Sequence, residues 1–279
     1  MKNKLLIFGF GYVARFLSAS LKNYDITATS RQNKTCNRAR IIKFEFDEVK
    51  QAINETTHLI ITTPPEEKIG CPTFYHFQSL IKEAPHLKYI CYLSATSVYG
   101  DHKGNWVDEN SNLNLENPRG KMRYKAESGW AEFSRTLNIP MIIMRISAIY
   151  GPGRNILEQL KNGTAKAIYK ENQLFSRIYI DDICNIISLS MEKDKLSNIY
   201  NLADDLPSPQ YEVIEYGAKL LNIPSPTRIN FEEADLSLAT KEFYLSSKKI
   251  SNQKIKDQLH IKLKYPNYMS GLEAIKTNA

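Results

Sequence analysis

Leu5-Leu6-Ile7-Phe8-Gly9-Phe10-Gly11-Tyr12-Val13-Ala14 is the stretch on which the reading of this chain turns. Four apolar residues, enough for a buried strand, run straight into the spacing G-x-G-x-x-A and then into a helical pattern. Each small residue has its own mechanical reason. Gly9 permits a tight turn, Gly11 lets the backbone approach a pyrophosphate, and Ala14 lets the helix pack on the strand. The helix start turns unpaired N–H groups and the positive end of its dipole toward that phosphate. Behind Lys2 and Lys4 the same run has the outline of a short signal peptide. Gly9, Gly11 and Arg15 interrupt it, and the strand, turn and helix are the preferred reading.

Outward from that turn, short β-branched or apolar runs recur at Lys4–Phe8, Ile26–Thr29, Ile41–Phe46, Leu59–Thr62, Tyr89–Leu93 and Met141–Ile146, separated by helix-length segments. The runs are nearly continuous in hydrophobicity, as strands covered on both faces are. Strands alternating with helices predict an α/β fold, a doubly wound parallel sheet of the Rossmann type. Residues 1–150 form the expected dinucleotide-binding domain, with a strand returning around 175–202. Residues 151–172 and 203–279 form an expected small C-terminal α+β lobe for substrate. There the pattern weakens: 155–172 is polar and irregular, and Leu206–Pro209 and Ile223–Pro226 are proline-bearing breaks. Helices are expected near Asp181–Met191 and Pro209–Leu221.

With 279 residues, 42% hydrophobic and 24% charged, the chain reads as globular, and it holds no run of about 18 apolar residues. Cys36, Cys71, Cys91 and Cys184 lie far apart without C-x-x-C spacing, which suggests neither a zinc site nor a disulfide framework. Reduced thiols and a cytoplasmic location follow as expectations. The net charge of +7 is spread along the chain with no basic block and interleaved aromatics, so neither nucleic acid nor a membrane is an expected partner. The five histidines show no metal-binding spacing, and the aromatics around Trp106 and Trp130 read as packing.

The end of the second strand selects the cofactor. An acidic residue about 20 positions past the glycines would hold the ribose 2′-hydroxyl of NAD, whereas an arginine accommodates the 2′-phosphate of NADP. Thr29-Ser30-Arg31 puts Ser30 where the acid would be and Arg31 next to it, so NADP is expected, with NAD open. The alternative is that Arg31 points to solvent. Phe10, Tyr12 and Val13 in the turn, Thr62, Thr63 and Pro64 after the fourth run, and Asp47 after the third complete the cofactor-binding set. Asp47 can touch the adenine edge or equally cap the next helix.

Four further segments carry a specific resemblance: Leu93-Ser94-Ala95-Thr96-Ser97-Val98-Tyr99-Gly100-Asp101; Arg145 with Ile149-Tyr150-Gly151-Pro152-Gly153-Arg154; Arg177-Ile178-Tyr179-Ile180-Asp181-Asp182; and the strand Ile199-Tyr200-Asn201-Leu202. In this order they resemble an extended short-chain dehydrogenase/reductase of the NAD-dependent epimerase/dehydratase group, over nearly the whole chain. The resemblance implies a catalytic Ser/Thr at position 95, which is Ala95, and a Y-x-x-x-K pair at Arg119 and Arg123, aligned through Glu127. It implies that the Tyr would be the acid/base and the Lys would lower its pKa. Arginine stays protonated and cannot act as that base. Tyr124 lies about 7.5 Å along and about 140° around the helix from position 119 and should face elsewhere. A good cofactor turn without the pair resembles the atypical YeeZ-like branch.

Ser94 and Thr96, at the C-terminal end of the fifth run, can take the role Ala95 lacks, or merely bond local backbone. Arg119 and Arg123, at i and i+4, share a helix face and can fork a phosphate or carboxylate, or stand as solvated charges. Asp181-Asp182 reads as the N-cap and first turn of a helix rather than a metal or acid/base pair. Two functions stay open: an NADP-dependent oxidoreductase or epimerase-like enzyme on a small polar, anionic, sugar-like substrate, and a non-catalytic dinucleotide-binding sensor or assembly protein. A homodimer is compatible with either.

Overall fold

The computed structural model describes residues 3–193 and 199–278. The six apolar runs are strands: β1 (Asn3–Phe8), β2 (Tyr24–Ser30), β3 (Arg40–Lys43), β4 (His58–Ile61), β5 (Tyr89–Ala95) and β6 (Met141–Ile146). With β7 (Ile199–Leu202) they form one seven-stranded parallel sheet in the order β7-β6-β5-β4-β1-β2-β3. Leu6, Ile7 and Phe8 of β1 and Leu59, Ile60 and Ile61 of β4 have no exposed surface. That is the double-sided burial their unbroken hydrophobicity predicted. The chain winds β1 to β2 to β3 on one side, then crosses to β4 on the other. The sheet therefore reverses direction between β1 and β4, where an open α/β sheet leaves a crevice at its C-terminal strand ends.

Compact packing divides the chain into two units, one of residues 1–98, 116–145 and 183–200, the other of 99–115, 146–182 and 201–279. In the first, α1 (Tyr12–Ser20), α2 (Phe46–Ile53), α3 (Pro72–Lys82) and α4 (Pro118–Leu137) accompany the sheet. Phe77, Leu80 and Ile81 of α3 and the fully buried Trp130 of α4 join Leu6, Phe8, Leu59 and Tyr92 in its core. Trp130 is thus a packing residue, its indole N–H directed at the Cys71 Sγ 3.4 Å away. Inside the same core the Arg145 guanidinium meets the Glu127 carboxylate at 2.7 Å, each side chain 3% exposed.

The second unit holds α5 (Ile156–Lys161), α7 (Gln210–Leu221) and shorter helices; α6 (Ile180–Ser190) starts in it. The stretch 155–172, expected to be irregular, contains α5 and a strand at 167–169. Asn155 caps α5 by accepting the Glu158 N–H at 3.1 Å, while Ile156, Leu157 and Leu160 supply the buried face. Asp181 and Asp182 fall in the first turn of α6, one and two residues past its start, so neither is its N-cap. Asp182 instead accepts the backbone N–H groups of Lys264 and Tyr265, at 2.8 and 3.0 Å. No described helix is long and apolar enough to cross a membrane.

Candidate functional site

The candidate residues of the first unit gather at the C-terminal ends of four adjacent strands. β1 ends in Gly9, whose φ of +96° only glycine adopts readily. A Cβ there would also stand 2.7 Å from the Thr62 Oγ1. That threonine, just past β4, donates its hydroxyl to the carbonyls of Phe8 and Gly9, at 3.0 and 2.8 Å. From β2, the Thr29 hydroxyl accepts the Gly9 N–H at 3.0 Å and the Thr29 carbonyl accepts the Phe10 N–H at 2.8 Å. The turn is therefore fastened from both neighbouring strands.

Gly11 has a different explanation. Its φ of −94° suits any residue, and a Cβ built on it meets nothing within 4 Å. It is the exposed N-cap of α1, with no side chain capping the helix. Neither backbone strain nor packing in the protein requires glycine at 11. What glycine does supply is clear space over the uncapped helix start, where a phosphate oxygen can reach backbone N–H groups. Tyr12 and Val13 open the helix beside it, both half-buried.

At the end of β2 the Ser30 hydroxyl accepts the Gln32 N–H at 3.1 Å. The Arg31 guanidinium does not float in solvent: its Nη1 meets the Glu66 Oε1 at 2.7 Å, and its carbon lies 5.2 Å from the Phe44 ring centre. Two residues missed in the sequence complete this corner. Glu66 is one; the other is Lys34, whose Nζ donates to the Phe10 carbonyl at 3.0 Å. A basic stretch containing Arg31, Lys34 and Arg38 was the available signal for the lysine. Thr63 shares a hydrogen bond with Thr73, 2.9 Å between hydroxyls, and Pro64 is exposed. β3 stops at Lys43, earlier than expected, so Asp47 sits exposed in the first turn of α2.

Ser94 is 4% exposed and its hydroxyl has no hydrogen-bond partner among the described residues. Thr96 opens a short 3₁₀ turn (Thr96–Tyr99) and is half-buried. The two arginines of α4 part company. Arg123 is half-buried and its Nη1 donates to the Leu93 carbonyl at 3.1 Å, while Arg119 is exposed. Burial pushes the Tyr92 phenol up, and the positive charge of Arg123 works against that shift. Tyr124 is 40% exposed. α4 is set against the end of β5 through Gly120, where a Cβ would stand 2.7 Å from the Ser97 carbonyl, and through Asn117, which caps the helix by accepting the Gly120 N–H at 2.6 Å.

A glycine turn over an uncapped helix start at the reversal point of a parallel sheet, and the ordered motifs beyond it, agree with comparison to known proteins. Residues 77–203 match the family described as NAD dependent epimerase/dehydratase. That match spans a little under half of the chain. A curated relative, the dTDP-D-glucose 4,6-dehydratase of Dictyostelium discoideum, is 28% identical over 158 residues, 49% of this chain and 35% of the relative. The chain thus spans about a third of the length of that relative. A solved structure of a functionally unknown conserved protein from Silicibacter pomeroyi DSS is 36% identical, with a TM-score of 0.91 and 99% of both chains covered. The human epimerase family protein SDR39U1 (isoform2), solved with NADPH, shares the fold at 16% identity and a TM-score of 0.76, over 99% of this chain and 100% of that one.

Of the other segments that carry the resemblance, Ile149–Arg154 and Arg177–Asp182 lie in the second unit. Tyr150, Arg154, Asn155, Arg177 and Gln210 line a cavity of about 440 Å³. The Arg177 guanidinium is buried and donates to the carbonyls of Phe175 and Ser208 and to the Gln210 Oε1, at 2.9, 3.0 and 2.8 Å. Asp204, 1% exposed, keeps one carboxylate oxygen without a partner. Burial raises its carboxyl to about 8 against the opposing charge of Arg177.

Proposed function

We propose that the chain is an NADP-dependent oxidoreductase or epimerase-like enzyme acting on a small, anionic, nucleotide-sugar-like substrate. The observation that carries this reading is Gly11, a glycine that the fold does not require and that leaves an uncapped helix start open. Gly9 to Val13 would hold the pyrophosphate, Ser30 and Arg31 the adenosine ribose and its phosphate, and Thr62 to Pro64 the neighbouring wall. The dinucleotide, when bound, supplies hydride transfer. Arg123 would fix positive charge at the end of β5, where Ser94 and Thr96 can donate or accept a hydrogen bond. A fixed guanidinium moves no proton, but it stabilises negative charge that develops on a substrate oxygen. Support for the substrate class comes from the relative named for dTDP-D-glucose, and for NADP from the human neighbour solved with NADPH. The same reading expects a cytoplasmic protein.

A second reading, a dinucleotide-binding protein without catalysis, is favoured by Ala95 and by arginine at both 119 and 123. Titration calorimetry with NADPH and NADH, followed by an NADPH-consumption screen on nucleotide sugars and aldehydes, separates them. Binding with turnover supports the enzyme, and binding without turnover on any substrate supports the second reading. No binding of either dinucleotide removes both.

A further inference from the structure

The residue after β2 that should read the cofactor's ribose phosphate is already paired. The Arg31 Nη1 lies 2.7 Å from the Glu66 Oε1, in an ion pair whose side chains are 58% and 42% exposed, and the guanidinium also rests against the Phe44 ring. Resting on the dinucleotide reading above, we propose that Glu66 sets cofactor selectivity: its carboxylate competes with a 2′-phosphate for the Arg31 guanidinium and so narrows the preference for NADPH over NADH.

Three observations carry the proposal. First, the pair takes up an Nη1 N–H of Arg31 and sets a negative charge beside the guanidinium, so a phosphate arriving there meets an occupied donor and a like charge. Second, the pair is exposed, and exposed pairs are weak enough to be exchanged for a doubly charged phosphate. The carboxylate therefore weakens phosphate binding without abolishing it. Third, Glu66 is held in place independently of the pair. Its N–H donates to the Gly70 carbonyl at 2.7 Å and its carbonyl accepts the Gly70 N–H at 2.8 Å, so the loop is closed by backbone. An isosteric change such as Glu66→Gln keeps the loop and removes only the charge. Lys34 provides the contrast. Its ammonium is tethered to the Phe10 carbonyl inside the turn and has no acidic partner among the described residues, so its attraction to cofactor phosphates should not depend on Glu66.

The test is a double-mutant cycle read by calorimetric dissociation constants for NADPH and NADH in wild type, Glu66→Gln, Arg31→Ala and the double variant, with melting temperatures as a folding check. Glu66→Gln should tighten NADPH about fivefold, the value of one exposed ion pair, and change NADH by less than about twofold. In the Arg31→Ala background the same substitution should leave the NADPH to NADH ratio unchanged. If Glu66→Gln leaves that ratio at the wild-type value while both nucleotides bind, the inference is overturned and the dinucleotide reading stands. An equal gain with and without Arg31 also overturns it, because it reports general charge relief rather than competition. If wild type binds neither nucleotide, the dinucleotide reading fails, and the inference with it.

Discussion

The turn after β1 and the end of β5 sit at the same edge of the same sheet, yet they are finished in opposite ways. At the turn, the groups that shape it are satisfied: Thr29 and Thr62 bond Phe8, Gly9 and Phe10 four times, and Lys34 adds a fifth fastening. At the end of β5, Ser94 buries a hydroxyl with no partner, and a long cationic side chain from α4 reaches in to bond a backbone carbonyl. A buried polar group left unpaired is rare and calls for a reason. The first region is a prebuilt rigid cradle; the second keeps unused polar capacity. The difference teaches that one strand end spends its polar groups on its own shape, while the other keeps a buried hydroxyl beside a guanidinium.

The largest effect should come from the frame that holds α4, and with it Arg123, against the sheet. Glu127→Ala removes the carboxylate that Arg145 meets inside the core and should cost about 3–5 kcal/mol. Urea unfolding checks this. A loss below about 1 kcal/mol would mean that the end of β5 does not depend on the pair. Asp204 shows the same physics in the second unit. Its carboxyl is raised from 3.8 to about 8, so the stability tied to its neutral form is present below about pH 4 and is lost as pH rises through 8. Asp204→Asn should flatten that fall between pH 5 and pH 8, measured as urea midpoints. An identical slope in the variant would reassign the titration to another group.

The two glycines then separate fold from function within the cradle. Gly9→Ala meets both the positive φ and the Thr62 hydroxyl and should cost about 1–3 kcal/mol of stability. Gly11→Val should leave the melting temperature unchanged and weaken dinucleotide binding by about a hundredfold or more, roughly 2.7 kcal/mol. Calorimetry and thermal melts on the same preparations decide the matter. If Gly11→Val instead unfolds the protein, the argument that glycine is there for a ligand collapses.

Sequence carried the cradle further than it carried the end of β5, for physical reasons. A parallel strand buried on both faces announces itself as an unbroken apolar run, which is why β1, β2, β4 and β6 fall close to where they were expected. β3 ran too long in the reading because Phe44 and Phe46 extend its apolar pattern, although Phe46 is 51% exposed in α2. α5 was missed because Ile156, Leu157 and Leu160 are sparse among polar neighbours. The pairs Arg31–Glu66 and Phe10–Lys34 join residues 35 and 24 positions apart, and no local pattern encodes a through-space partner. Arg119 and Arg123 share a helix face by their i, i+4 spacing, but the carbonyl that Arg123 reaches, that of Leu93, lies 30 positions away in sequence and leaves no local signal.

Ser94 provides a finer test of the unused polar capacity. An unsatisfied buried hydroxyl costs about 1–3 kcal/mol, so Ser94→Ala should raise stability by about 1 kcal/mol. The same change should lower affinity for, or turnover of, any substrate identified by the screen. Stabilisation without functional loss would make Ser94 a packing defect and leave Thr96 as the better candidate.

The smallest effects distinguish the two arginines. Arg119 is exposed, and Arg119→Ala should change stability by less than about 0.5 kcal/mol, as surface substitutions usually do. Arg123→Ala removes a charged donor from the Leu93 carbonyl in a half-buried setting and should cost about 1 kcal/mol. The functional asymmetry should run the same way. If Arg123 stabilises an anionic ligand at the end of β5, its loss weakens binding of that ligand, and Arg123→Lys restores only part of it, because an ammonium is a point donor without the planar fork. Equal responses to Arg119→Ala and Arg123→Ala, in stability and in anion binding alike, would show that the inward turn of Arg123 has no consequence and that the contrast between the two strand ends rests on Ser94 alone.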